Sequence, residues 1–326
     1  MINASELAQH LSTVARGQHG KRDLNQAQAF EAYQYLLHPS ADPLQLGAFL
    51  IAQRIKGESP AEIAGFVQAS QHAIHDFNAN QLHHAIDMPC YAGKRRDTPL
   101  HLVAALEASQ QGIPIVIHGI ADIAGRLSAW QALSRAGVQR AGSLQEAQPI
   151  LAKNNIVYMD LTDICPPLYQ MLQLRERLGV RSCANTVARL LNPLRCTAQI
   201  NGFFHHPYGT LMAKSNQLLD QQNSLLFMGA EGEPELYASR QRLLLSQQGS
   251  KITRWRYPSA DVEPYPREHI KPSQLTQQFL ATWHGQRTEK DNIVLNRMQQ
   301  AFKLVFQQES AHDWQQDEKE RTNEKH

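Results

Sequence analysis

The run Gly112-Ile-Pro-Ile-Val-Ile-His-Gly119 constrains the fold more than any other stretch of this chain. Ile113, Ile115, Val116 and Ile117 form a short apolar segment bounded by glycines, the pattern of a strand buried on both faces. Past His118-Gly119 the apolar spacing turns helical, which predicts a helix over 126–136 that stops at Gly137. A strand feeding a helix in this way belongs to an open α/β sheet. In such sheets the strand-to-helix turns point backbone N–H groups at whatever is bound.

The periodicity on either side divides the chain. Residues 1–78 read as four helices. Leu7, Leu11 and Val14 recur at helical spacing, Phe30, Tyr33, Leu36 and Leu37 do the same, and a third helix starts near Pro43. The fourth opens on Ser59-Pro-Ala-Glu62, a capping box with proline at the first helical position, and turns Ile63, Phe66 and Val67 inward. Asn78 to His84 reads as a polar hinge. From Ala85 strands and helices alternate, with strands near 86–91, 113–117, 156–159, 198–203 and 224–228 and helices at 99–110, 126–136, 167–178 and 210–221. Alternation of this kind implies a mainly parallel sheet with right-handed crossovers. Glu235 to Tyr257 has room for further strands, and two more helices fit near 273–283 and 289–308. The expected fold is therefore α/β: an N-terminal helical domain over 1–78, with the helix of 167–190 packed on it, and a larger α/β domain over 79–308. Residues 309–326 read as a disordered acidic tail.

Composition excludes several classes. No apolar run approaches the length of a membrane span, and Met-Ile-Asn-Ala-Ser-Glu lacks a signal-peptide pattern, so no membrane contact and a cytoplasmic location are expected. Cys90, Cys165, Cys183 and Cys196 show no C-x-x-C pairing and read as idle thiols. His83-His84 and His205-His206 are adjacent pairs whose side chains diverge on a strand, which makes them poor chelators. No metal and no cofactor are expected. The net charge of +2 is unevenly spread: residues 90–200 hold twelve Lys/Arg against seven Asp/Glu, whereas 309–326 hold six acids against three bases. A basic middle suggests a polyanion partner, and a solvated face is the plainer reading.

Three segments carry a family resemblance. His118-Gly119, with Gly137 eighteen residues on, the segment Ile51-Ala-Gln-Arg-Ile-Lys-Gly-Glu-Ser-Pro-Ala-Glu-Ile-Ala-Gly65, and Lys290-Asp-Asn-Ile-Val-Leu-Asn296 resemble the anthranilate phosphoribosyltransferase and nucleoside phosphorylase superfamily. A fourth, Arg181-Ser-Cys-Ala-Asn185 through Asn192-Pro193, matches the family's "NLLGPLxNP" at Asn185, Asn192 and Pro193, with Arg189-Leu190 in place of its central Gly-Pro. The family's polar chemistry is largely replaced. Its Gly-Thr-Gly-Gly-Asp phosphate loop reads Tyr91-Ala-Gly-Lys-Arg-Arg-Asp-Thr98, and the Ser- and Lys-rich segment after His-Gly reads Ile120 to Ser128. The Asp-Glu pair that holds magnesium reads Pro234-Glu235, although Glu231, Glu233 and Glu235 leave a weak metal site open.

The combination resembles the divergent, non-catalytic branch of that superfamily. The resemblance implies a homodimer that binds DNA and RNA, single- or double-stranded, without reading sequence. Lys94, Arg95 and Arg96 stand where the phosphate loop was, at a helix start that Asp97 or Thr98 would cap, either as an anion site or as a solvated loop. Arg175 shares a helix face with Leu168, Met171 and Leu172, so it either faces the interdomain cleft or pairs with an acid such as Glu62 or Asp163. Together with Arg126, Arg181, Arg189 and Arg195 these residues form the expected nucleic-acid site, with no catalytic residue. Two other readings stand beside it: a phosphoribosyltransferase or phosphorylase of altered substrate, and an interaction protein that docks through its N-terminal helices.

Overall fold

The structure, a computed structural model, describes residues 3–307 apart from Gln18 and Ala79. The expected tail of 309–326 lies outside the described residues. In chain order the elements are α1 (Ala4–Ala15), α2 (Gln26–Leu37), α3 (Pro43–Lys56), α4 (Pro60–His72), β1 (His83–Cys90), α5 (Leu100–Gln110), β2 (Ile115–Gly119), α6 (Ala129–Leu133), β3 (Arg140–Ala141) and α7 (Leu144–Asn154). They continue with β4 (Ile156–Asp160), α8 (Leu161–Ile164), α9 (Pro166–Gln173), α10 (Arg175–Leu178), α11 (Ala184–Arg189), β5 (Cys196–Phe203) and α12 (His206–Leu218). The last are β6 (Asn223–Met228), β7 (Arg242–Gln248), β8 (Lys251–Tyr257), α13 (Pro272–Trp283) and α14 (Glu289–Phe306).

The capping box that opens α4 also ties the helical domain together. Ser59 Oγ accepts from the Glu62 N–H at 3.2 Å, and Glu62 Oε2 accepts from the Ser59 N–H at 2.8 Å. Glu62 is fully buried and also takes Lys56 Nζ at 2.6 Å, Gln53 Nε2 at 3.0 Å and the Leu24 N–H at 3.1 Å. A buried carboxylate is tolerated only when its lone pairs are filled in this way. One glutamate thus joins α3 and α4 to the segment that leads into α2.

Eight strands form one sheet in the order β3-β4-β2-β1-β5-β6-β7-β8. The first six run parallel, and β7 and β8 add an antiparallel hairpin at the edge. Helices α5, α6, α13 and α14 cover one face, where Leu102, Val103, Phe279 and Phe302 pack against Ile86, Ile117 and Ile200. The helical domain, joined by α7, α9, α11 and α12, covers the other. Among the described residues no helix is long and apolar enough to cross a membrane.

Several expectations need correction. Residues 120–127 form an irregular loop, and α6 begins only at Ala129, where Ser128 supplies a capping box, so Arg126 sits on a loop. Helix 167–190 is broken into three pieces, with Gly179 left-handed at φ +72° after α10. Arg175 there is exposed instead of inward. Neither suggested acid pairs with it: Glu62 takes Lys56, and Asp163 takes Arg140 at 2.6 Å. Helix α7 was not expected, because Pro149 lies inside it.

Candidate nucleic-acid interface

Parallel strands end together at one edge of the sheet, and residues 91–98 run along that edge from Cys90 to α5. Gly93 takes φ +65°, a turn that needs glycine, and the N–H groups around it point off the edge as in any anion-binding nest. Those donors are already taken. The N–H groups of Ala92 and Gly93 both donate to Glu233 Oε1, the first at 2.7 Å. The N–H groups of Arg95 and Arg96 donate to Glu231 Oε1 at 3.2 and 3.1 Å, and Tyr265 Oη donates to the same oxygen at 2.9 Å. Lys94 Nζ reaches Glu235 Oε1 at 2.5 Å.

The start of α5 is filled in the same way. Neither Asp97 nor Thr98 caps it; the His101 N–H donates to Glu235 Oε2 at 3.3 Å, and His101 Nδ1 lies 3.1 Å from that oxygen. Asp97 instead receives Lys290 at 2.9 Å. Burial alone pushes the Glu235 carboxyl up, but Lys94 and His101 outweigh it and hold the group at about 2. Burial, reinforced by Glu235 and Glu231, pushes the Tyr265 phenol far up, so it remains a donor.

The segment carrying these acids is shaped for close approach. A Cβ on Gly229 would stand 1.7 Å from the Glu233 carbonyl oxygen, and one on Gly202 would stand 2.5 Å from it. Glu231 itself takes φ +56°, a conformation unusual outside glycine and held here by its contacts. Glu231-Gly-Glu233-Pro-Glu235, read in the sequence as a weak metal site, is an internal anion that closes the loop. The buried His118 of the His-Gly motif lies beneath, with Nδ1 2.8 Å from Tyr91 Oη and Nε2 3.1 Å from Asp87 Oδ1.

The expected arginines divide accordingly. Lys94 is 1% exposed and committed to Glu235, which corrects its expected role as a free phosphate ligand. Arg195 also leaves the group, because it precedes β5 at the opposite edge of the sheet, where its carbonyl accepts from the His83 N–H. Arg95 and Arg126 reach Glu231 only at 3.7 and 3.5 Å. The Arg96 guanidinium forms no ion pair among the described residues; only its backbone N–H meets an acid, Glu231.

Arg175, Arg181 and Arg189 do come together, in a cleft of about 600 Å³ between the helical domain and the sheet edge. Sequence reasoning missed Arg54 of α3, which lines the same cleft, and Phe204, which is 57% exposed beside it. Arg54 stands inside the family-like segment after Ile51, and that was the available signal. None of these four arginines forms an ion pair within 4 Å among the described residues, although Glu231 also lines the cleft and Glu58 lies in the field of Arg54. Burial first, then Arg175, Arg189, Arg126 and Arg54 lower the Arg181 guanidinium below its ordinary range. Mutual repulsion of this kind marks a field that an anion would relieve.

Comparison with known proteins agrees with this architecture. A model of the glycosyl transferase family's helical bundle domain matches residues 9–73, and the model of its a/b domain matches 83–316. The chain belongs to this glycosyl transferase family. Within the family it is 30% identical over 277 residues to the uncharacterized protein YbiB of Escherichia coli (strain K12), covering 83% of this chain and 85% of that one. It is 22% identical over 280 residues to an anthranilate phosphoribosyltransferase of Oceanobacillus iheyensis, covering 85% and 78%. Among solved structures the anthranilate phosphoribosyltransferase of Thermus thermophilus superposes with a TM-score of 0.71 at 19% identity, covering 93% of this chain and 89% of that one. The enzyme of Saccharomyces cerevisiae, in complex with PRPP and Mg, gives 0.72 at 14% identity, covering 94% and 90%. The fold is thus phosphoribosyltransferase-like, with a helical bundle and a mostly parallel sheet.

Proposed function

We propose that this member of the family binds nucleic acid, DNA or RNA, without reading sequence, and no longer transfers phosphoribosyl groups. The observation that carries this reading is the contrast between two anion sites. The phosphate loop spends its N–H donors on Glu231 and Glu233, whereas Arg54, Arg175, Arg181 and Arg189 line a cleft in which Glu231 is the one lining acid among the described residues and none of the four forms an ion pair. A small pyrophosphate needs the first kind of site; a chain of phosphates is served by the second, since Arg contacts to phosphate give affinity independent of base. Phe204 beside the arginines offers a face on which an unpaired base can stack.

The homodimer belongs to the same proposal. Leu44 and Ile55 of α3 are 79% and 76% exposed and, with Ala48 and Ile51 between them, share one helical stripe. A second copy of the chain covering this stripe would bring two arginine clefts to one assembly, and a long strand would then bind both with a gain from linkage.

The test compares wild type with Arg175→Glu/Arg181→Glu on single-stranded oligonucleotides of two lengths at several salt concentrations. Wild type is expected to bind with a steep salt dependence, more tightly to the longer strand. The double variant should lose at least tenfold in affinity, and its log–log salt slope should fall by roughly 0.7 per contact removed. Wild type that fails to bind even at low salt would overturn the proposal, as would a double variant that binds unchanged.

A further inference from the structure

Beneath the closed loop a thiol, an imidazole and a carboxylate come together in a buried cluster, two of them already engaged in the contacts described above. The Cys90 thiol at the end of β1, a ring nitrogen of His101 on α5 and a carboxylate oxygen of Glu233 all lie within 4.8 Å of one another. All three residues are 1% exposed. We propose that they form a binding site for a single divalent transition metal of the zinc class, a departure from the expectation that the chain binds no metal.

Charge balance is the first argument. Glu231 has Arg95 and Arg126 within 4 Å, and Glu235 has Lys94, but Glu233 has no cation at ion-pair distance among the described residues. Its Oε1 takes two backbone N–H groups, whereas the buried Oε2 has no N–H or O–H partner, the Cys90 thiol being the side-chain group that hydrogen-bonds to this carboxylate. A carboxylate buried without a cation carries a large desolvation penalty. One divalent ion bound by the Glu233 carboxylate and the Cys90 thiolate is neutral overall; the Cys90 proton leaves to solvent on binding.

Donor chemistry is the second. A thiolate, an imidazole and a carboxylate together suit zinc, and the sulfur disfavours magnesium and calcium. Tetrahedral zinc sets such donors roughly 3.4–3.6 Å apart, so the present spread closes with side-chain adjustments of about 1 Å. His101 Nδ1 lies 3.1 Å from the Glu235 carboxylate, the kind of outer contact that orients a metal-bound imidazole. The site joins β1, α5 and the segment after β6, so an ion there would fasten the closed loop.

The full chain, stripped with a chelator, is titrated with Co²⁺ and then Zn²⁺. One equivalent of Co²⁺ should give a thiolate charge-transfer band in the near ultraviolet that Zn²⁺ abolishes. Cys90→Ala should lose the band and weaken metal uptake about 100-fold, whereas Cys165→Ala and the doubly substituted His205→Ala/His206→Ala should behave as wild type. Should Cys90→Ala fail to fold, X-ray absorption of the zinc-loaded wild type decides, with one sulfur at about 2.3 Å expected. The site is overturned by a wild type without the band, by a band that persists in Cys90→Ala, by uptake that follows the surface histidines, or by a zinc shell of nitrogen and oxygen alone.

Discussion

Lys94 and Glu235 meet at 2.5 Å with both side chains withdrawn from solvent, 141 residues apart in the chain. Breaking such a pair from one side leaves a buried charge. Lys94→Met is therefore expected to lower unfolding free energy by about 3–5 kcal/mol, read by denaturant titration. A loss below 1 kcal/mol would show the pair to be unimportant to the fold.

The same pair sets an acid limit. Glu235 is held at about 2 against an ordinary 4.5, so its contribution is present above the unfolded value and is lost as pH falls from about 4.5 through about 2. Wild type should lose stability over that window more steeply than Glu235→Gln, which has no proton to gain there. Parallel pH profiles for the two proteins would contradict the assignment.

Opening the loop is a direct check on its closure. With Glu231→Ala/Glu233→Ala, the amides of Ala92, Gly93, Arg95 and Arg96 lose their acceptors. Calorimetry should find pyrophosphate binding in the double variant and none in wild type. Wild type that binds pyrophosphate, or that releases it from phosphoribosyl pyrophosphate with Mg²⁺ and anthranilate, would favour an enzyme of altered substrate.

Phe204 separates single strands from duplex. Phe204→Ala should weaken single-stranded DNA binding by about 1–3 kcal/mol while leaving duplex binding nearly unchanged. Arg195→Glu, at the far edge of the sheet, should alter neither. A strong effect of Arg195 would move the interface to the other side of the molecule.

Assembly has a simple readout. Light scattering should give about twice the chain mass of 36.8 kDa, and Leu44→Glu/Ile55→Glu should return the single chain. A wild-type mass of one chain at micromolar concentration would remove the dimer.

The helical bundle was legible because its signals are local: Ser59 and Glu62 are three residues apart, and each apolar stripe lies within one helix. The parallel core strands were legible for the same reason. Helix α7 was hidden by Pro149, which local rules place outside a helix interior. The site was legible only in part. Which bases stay free depends on acids more than 100 residues away, so Lys94 and Arg96 look alike in sequence and differ completely in structure. Arg54 was missed because it lies across the cleft, in the other domain.

The closed loop changes what an anion does for this chain. A soluble anion comes and goes with its concentration, and a loop that waits for one spends part of its time unfilled. Carboxylates fixed at Glu231, Glu233 and Glu235 cannot diffuse away, so their grip on the loop is present in every folded molecule, whatever the surrounding metabolite levels. An interaction that would otherwise set a dissociation constant is here a component of the melting temperature. A drift in small phosphorylated solutes that would fill or empty an open loop should leave this one unmoved.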